Sequence, residues 1–109
     1  MINIQLLSDL HLETHPHFVP EVAPTADLLV LAGDVGSYQP GSMLLEHADT
    51  DFGLARFSPR HDLAAWPVPV FFVPGNHEYD GMPFEEAHER LQETCERLQI
   101  IWLHQRVHV

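Results

Sequence analysis

The chain has 109 residues, with sixteen acidic residues against five arginines and no lysine, and its formal net charge is −11. This length fits one domain with a hydrophobic core, and the 45% hydrophobic fraction excludes general disorder. The acidity argues against nucleic acid as a partner, and the single cysteine excludes an internal disulfide. The apolar runs are too short to span a membrane and no signal peptide is evident, so we expect a cytoplasmic protein without membrane contact.

Three short apolar stretches, each followed by turn residues, predict β-strands at residues 2–7, 27–32 and 68–73. The second and third are nearly continuous in apolar residues, which predicts strands of a parallel sheet buried on both faces. Three prolines exclude a regular helix from residues 12–26. Helical pieces are expected within residues 43–47 and 52–66, with an interruption near Ser58 and Pro59.

The clearest predicted helix covers residues 83–99, with Pro83 at its first position. Its apolar residues recur at three- and four-residue spacing and predict one buried stripe, in which the cysteine is part of the core. The stripe consists of Phe84, Ala87, Leu91, Cys95 and Leu98. Residues 100–103 predict a fourth strand, and residues 107–109 begin a fifth.

Polar residues follow each of the three predicted strands: Asp9 and His11, then Asp34, then Asn76 and His77. In an open α/β sheet, the loops beyond the carboxyl ends of the strands form the binding site, so these side chains are expected to converge. Each residue singly also suits ordinary turn chemistry. As a set, carboxylate, imidazole and amide ligands suit Mn²⁺, Fe²⁺ or Zn²⁺. His15 and His17 are expected to be solvated loop residues.

The three segments resemble, in order and in context, the first three signature blocks of the calcineurin-like metallophosphoesterases. The blocks are Ser8-Asp9-Leu10-His11, Gly33-Asp34 and Gly75-Asn76-His77-Glu78. The resemblance implies an α/β fold, namely the N-terminal half of an αββα sandwich with a mostly parallel sheet and flanking helices. Residues 1–109 would then form a single, partial domain of this type.

The resemblance also implies a phosphatase or phosphodiesterase with a dinuclear centre of Mn, Fe or Zn. Asp9 and His11 would bind one ion, Asp34 would bridge both ions, and Asn76 would bind the second. A hydroxide bridging the ions would attack the phosphoester substrate, with His77 beside the leaving oxygen. Glu78 and Asp80 would orient a ligand histidine.

Two features depart from the family pattern: the sequence has neither the further metal-binding histidine that members supply later in the chain nor the Gly-His-x-His block that follows it. The late histidines His104 and His108 lack the glycine and have four-residue spacing instead of two-residue spacing. The alternative function is therefore an inactive metal-binding remnant, or one assembly half of a longer enzyme. A half-built sandwich would also expose an apolar sheet face, which predicts self-association.

Overall fold

The computed structural model describes residues 2–15, 17–38, 42–46, 51–80 and 82–103. The elements in chain order are β1 (Ile4–Leu7), β2 (Leu28–Ala32), α1 (Met43–Glu46), a 3₁₀ helix (Leu54–Phe57), β3 (Val70–Val73), a second 3₁₀ helix (His77–Tyr79), α2 (Phe84–Leu98) and β4 (Ile101–Trp102). All four complete predicted strands are confirmed, with shorter bounds. The expected fifth strand at residues 107–109, together with His104 and His108, lies outside the described residues.

The four strands form one parallel sheet in the order β1-β2-β3-β4. Because all strands run in the same direction, their carboxyl ends lie at one edge, where the loops after β1, β2 and β3 meet. The predicted α/β class with a parallel sheet is confirmed. Among the described residues, no helix is both long and apolar enough to cross a lipid bilayer.

Helix α2 supplies much of the core. Leu91, Cys95 and Leu98 are fully buried and belong to the same cluster as Leu29 and Phe72 of the sheet. Burial raises the pKa of the Cys95 thiol to about 12, as expected of a core cysteine rather than a reactive one.

Two details of the α2 prediction are wrong. Phe84 is 59% exposed and stacks on Tyr79 outside the core, with ring centroids 4.6 Å apart. Phe84 is the first residue of α2 and precedes the first buried residue of the helix, Ala87, by one turn, so its ring packs on the half-buried Tyr79 instead of entering the core. Pro83 precedes the helix as its N-cap, and the helix stops at Gln99, which is left-handed at φ 59°.

The described segments between β1, β2 and β3 contain little regular helix. In the described part of residues 12–26, the chain makes turns and no helix, as predicted. The expected helical content of residues 52–66 is limited to the 3₁₀ helix, which ends at Ser58 in extended conformation. The buried Ser58 hydroxyl donates to the Leu98 carbonyl at 2.7 Å and attaches this segment to the end of α2.

The residues that the structure describes cover one face of the sheet, and the prediction that β2 and β3 are buried on both faces is wrong. Burial alternates along β2, where Leu29 and Leu31 are buried while Val30 is only half-buried. On this open face, Leu6 of β1 is 62% exposed and lies in register with Val30, which in turn pairs with Phe71 of β3. The described helices all supply the opposite face, which explains the alternation.

Candidate functional site

The loops after β1 and β2 continue the pairing of their strands. Beyond the sheet, the Asp9 N–H donates to the Gly33 carbonyl at 3.1 Å, and the His11 N–H donates to the Asp34 carbonyl at 3.1 Å. The Leu12 N–H then donates to the Val35 carbonyl at 2.8 Å. These backbone bonds hold the two loops side by side, and they place the segments of the first two sequence blocks against each other.

The loop after β3 approaches closely because two glycines face each other. A Cβ added to Gly33 would lie 2.9 Å from the Gly75 backbone, and one added to Gly75 would lie 2.4 Å from Asp34 Oδ1. Neither position has room for a side chain. The His77 N–H completes the junction by donating to Asp34 Oδ1 at 3.0 Å.

These contacts bring three predicted metal ligands together. Asp9, His11 and Asp34 each offer a ligand atom, and the three atoms lie within 4.8 Å of one another. Two carboxylates and one imidazole at such separations are a donor set that fits a divalent cation. The structure therefore reproduces the expected convergence for these three residues.

All three residues have left-handed backbone conformations, with φ of 53° at Asp9, 48° at His11 and 53° at Asp34. This region costs an ordinary L-residue about 1–2 kcal/mol, although Asp tolerates it better than most. Among the described residues, three other non-glycine residues share this conformation, namely Phe52, Ala65 and Gln99. At Asp9, His11 and Asp34 the strained residues are also the ones whose side chains meet, an arrangement that is typical of functional sites.

A carboxylate that the sequence analysis missed supports His11. Glu13 is 3% exposed, and its Oε2 lies 2.8 Å from His11 Nδ1. A carboxylate that accepts the Nδ1 proton leaves Nε2 as the ligand nitrogen and fixes the ring, as is usual around metal-binding histidines. No periodicity or motif marks Glu13 in the sequence, because its role depends on how the loop turns after His11.

Glu78 connects two of the loops that form the site. Its fully buried carboxylate accepts backbone N–H groups from Asp34 at 2.8 Å and Gly75 at 2.7 Å through Oε1, and from Gly36 at 3.0 Å through Oε2. This carboxylate therefore joins the loops after β2 and β3, and the expectation that Glu78 orients a ligand histidine stays a prediction. Burial raises the pKa of Glu78, and the three N–H groups counteract part of this effect.

Asp80 contacts a histidine, and that histidine is His77. The His77 Nδ1 lies 2.8 Å from Asp80 Oδ2, and the His77 ring is 5.3 Å from the His11 ring, edge to face. The hydrogen bond to Asp80 is the main cause that raises the pKa of His77, with a smaller contribution from the Asp34 charge. His77 thus stands beside the metal-ligand cluster with its protonated form favoured.

Asn76 precedes the turn that begins at His77, and its side chain is exposed. Its carbonyl accepts the Tyr79 N–H at 3.2 Å, whereas its side-chain amide makes no capping hydrogen bond to this turn. His15 and His17 are exposed, as expected, and both also line a cavity next to Asp9.

With this geometry established, the comparisons with known proteins agree with the sequence blocks. The profile of the Metallophos family, described as calcineurin-like phosphoesterase, matches residues 2–107. The chain belongs to the calcineurin-like phosphoesterase family. A search of curated proteins gives no significant match.

Among solved structures, the chain is similar to the phosphopantetheinyl hydrolase of Mycobacterium tuberculosis, with 22% sequence identity and a TM-score of 0.57. The alignment covers 92% of this chain and 34% of that one, so the chain spans about a third of the hydrolase's length. At this identity the likeness concerns the fold, and it agrees with the parallel α/β arrangement described above.

The buried carboxylate of Glu78 predicts a stability effect. Glu78→Gln keeps the size of the side chain but turns one acceptor into a donor, which leaves at least one of the three N–H groups unsatisfied. We expect a loss of about 1–3 kcal/mol in the free energy of unfolding, measured by urea denaturation. Glu85→Gln, at an exposed position of α2, is the matched control and should change little. Equal stability of the two variants would contradict the role given to Glu78.

The bond between Asp80 and His77 predicts a titration effect. In Asp80→Asn the carboxylate that stabilises the imidazolium is gone, so the pKa of His77 should fall toward its ordinary value and the ring should lose its proton at lower pH. An NMR titration of the His77 ring in the metal-free chain measures this. Asp62→Asn, which removes an exposed acid paired with Arg60, should leave the His77 titration unchanged. A similar pKa in both variants would contradict the assignment.

Proposed function

We propose that this chain carries the metal-binding and acid groups of a phosphoester hydrolase with a dinuclear metal centre. The observation that carries the proposal is the convergence of Asp9, His11 and Asp34 at the carboxyl edge of a parallel sheet. Family membership supports the hydrolase class. The domain proposed for residues 1–109 is a single, partial phosphoesterase unit.

In this proposal, Asp9 and His11 hold one divalent ion, and Asp34 is shared between two ions. Asn76 contributes its amide oxygen to the second ion, because the Gly75 approach brings the start of this turn against Asp34. Mn²⁺, Fe²⁺ and Zn²⁺ all suit this donor set. When bound, the two ions would supply a water activated toward hydroxide as the nucleophile and would neutralise charge on the phosphoryl oxygens.

His77 acts as the acid in this proposal. In hydrolysis, water adds to phosphorus while the bond to the organic oxygen breaks, and that oxygen must gain a proton. His77 shares its Nδ1 proton with Asp80, which leaves the Nε2 proton of the imidazolium for the leaving oxygen. The raised pKa of His77 favours the protonated form that this step requires.

The cytoplasm remains the proposed location, because Cys95 is a free, buried thiol that suits a reducing compartment. The net charge of −11 argues against nucleic acid as the substrate of this part of the protein. We therefore propose a phosphoester other than nucleic acid as the substrate.

The first test is metal binding. Asp34→Asn removes a charge shared by both proposed ions, so Mn²⁺ affinity measured by calorimetry should fall at least about tenfold. Asp62→Asn is the control, since Asp62 pairs with Arg60 on the exposed surface. Turnover of p-nitrophenyl phosphate and bis(p-nitrophenyl) phosphate in Mn²⁺ is measured alongside, and His77→Ala should lower it by about 10²–10⁴-fold.

The outcomes separate the two candidate functions. Binding with turnover above the His77→Ala variant supports a hydrolase that works in this chain. Mn²⁺ binding that depends on Asp34, with no turnover above that background, supports an inactive metal-binding half. A chain that binds Mn²⁺ no better than its Asp34→Asn variant contradicts both.

We also propose that the open sheet face joins two copies of this chain. The face carries Leu6, Val30 and Phe71 in one row across three strands, and Ile4 beside them is 59% exposed. Its positions in the described strands carry apolar side chains and no charge. Contiguous apolar surface of this kind favours association in water.

Sedimentation at micromolar concentration tests this proposal. We expect association of the wild-type chain, and Leu6→Glu should shift it to the monomer because it places a charge at the most exposed position of the apolar row. Val19→Glu is the control, at a 79% exposed position in the loop after β1. A monomeric wild-type chain, or equal loss of association in both variants, would contradict an interface on this face.

A further inference from the structure

A surface cavity of about 540 Å³ opens beside the metal-ligand cluster, and Asp9 belongs to both. We propose that this cavity binds the organic group of the substrate, and that this group is apolar or aromatic. The inference rests on the proposed phosphoester hydrolysis and adds the class of ester to it.

The shared position of Asp9 is the geometric reason. A phosphoryl group at the Asp9, His11 and Asp34 cluster must direct its ester substituent away from these ligands, and the cavity beginning at Asp9 is large enough for a ring or a short chain. Leu10, Phe18 and Met43 form its apolar wall. Phe18 is 38% exposed, so its ring is available for stacking, and the flexible Met43 can adapt to different shapes.

The charges of the wall argue against a polyanionic substituent. No arginine is among the described residues that line the cavity, and the chain has no lysine. The polar groups of the wall are the Asp9 carboxylate, the Thr14 hydroxyl and the imidazoles of His15 and His17. His15 Nδ1 already lies 2.9 Å from Thr14 Oγ1, so this pair satisfies part of its own hydrogen-bonding capacity. A further phosphate on the substituent would therefore meet the negative Asp9 carboxylate and few hydrogen-bond donors. The cavity therefore favours an ester of an apolar alcohol over a nucleoside polyphosphate.

The wall is held in place before any ligand binds. Arg56 Nη1 donates to the Phe18 carbonyl at 2.8 Å, and its Nε donates to the Gly53 carbonyl at 2.9 Å. The Phe18 N–H donates in turn to the His15 carbonyl at 3.2 Å. These bonds connect the loop to the 3₁₀ helix Leu54–Phe57, and such preorganisation lowers the entropy lost when a ligand is bound.

The test compares two phosphonates that share a head group and differ by a ring. Calorimetry of the Mn²⁺-loaded chain should show phenylphosphonate binding about tenfold more tightly than methylphosphonate. In Phe18→Ala this preference should fall below about threefold, while the affinity for methylphosphonate stays the same. Val19→Ala is the matched control, because Val19 is the next residue of the loop and does not line this cavity.

A second measurement needs no metal. In the metal-free chain, p-cresol should shift the NMR signals of the Thr14 and Met43 methyl groups, and Phe18→Ala should abolish these shifts. Equal affinity of the wild-type chain for both phosphonates would overturn the cavity proposal and leave the hydrolase proposal intact. If neither phosphonate binds, the proposed function fails, and the p-cresol shifts decide the cavity proposal separately: their presence supports it and their absence overturns it.

Discussion

The arrangement of the site depends on one buried carboxylate. Glu78 accepts three backbone N–H groups, from Asp34 and Gly36 after β2 and from Gly75 after β3. The strand hydrogen bonds end before the loops after β2 and β3 begin. The buried Glu78 carboxylate connects these two loops instead. Burying a carboxylate without such donors would be costly, whereas here its lone pairs are used by amides that also need partners. Asp34, the proposed metal ligand, and His77, the proposed acid, are therefore positioned through the same side chain.

The sheet explains why the site is at one edge and why one face remains open. Parallel strands direct every loop of the site to their carboxyl ends, and α2 with the 3₁₀ helix Leu54–Phe57 covers the side that holds Leu29 and Phe72. The other face has apolar residues but no described helix against it. The described residues thus form one parallel sheet with helices against one face. The alignment with the mycobacterial hydrolase covers 34% of that protein.

Much of this could be predicted from sequence, because it depends on local patterns. Short apolar runs before turn residues located β1 to β3, and the parallel direction expected of these strands implied that Asp9, His11 and Asp34 would meet. The errors concern contacts between distant residues. A continuous apolar run in the sequence does not tell whether a second layer of structure covers Val30. The three- and four-residue spacing that includes Phe84 does not tell whether the core extends to the first turn of the helix. The partners of Glu78 are 42 and 44 residues away at Gly36 and Asp34, and the Glu13 contact depends on an irregular loop.

The left-handed conformations at Asp9, His11 and Asp34 limit how this site can be lost during evolution. A residue that replaces one of these three must fit the space of the lost side chain and must also adopt a positive φ, which most side chains resist. Glycine and asparagine meet the second condition at little cost, whereas β-branched residues do not. Related chains that lack the Asp and His side chains at these three positions should therefore carry Gly and Asn there more often than other residues, and Val, Ile or Thr there would indicate that the loops themselves had been rebuilt.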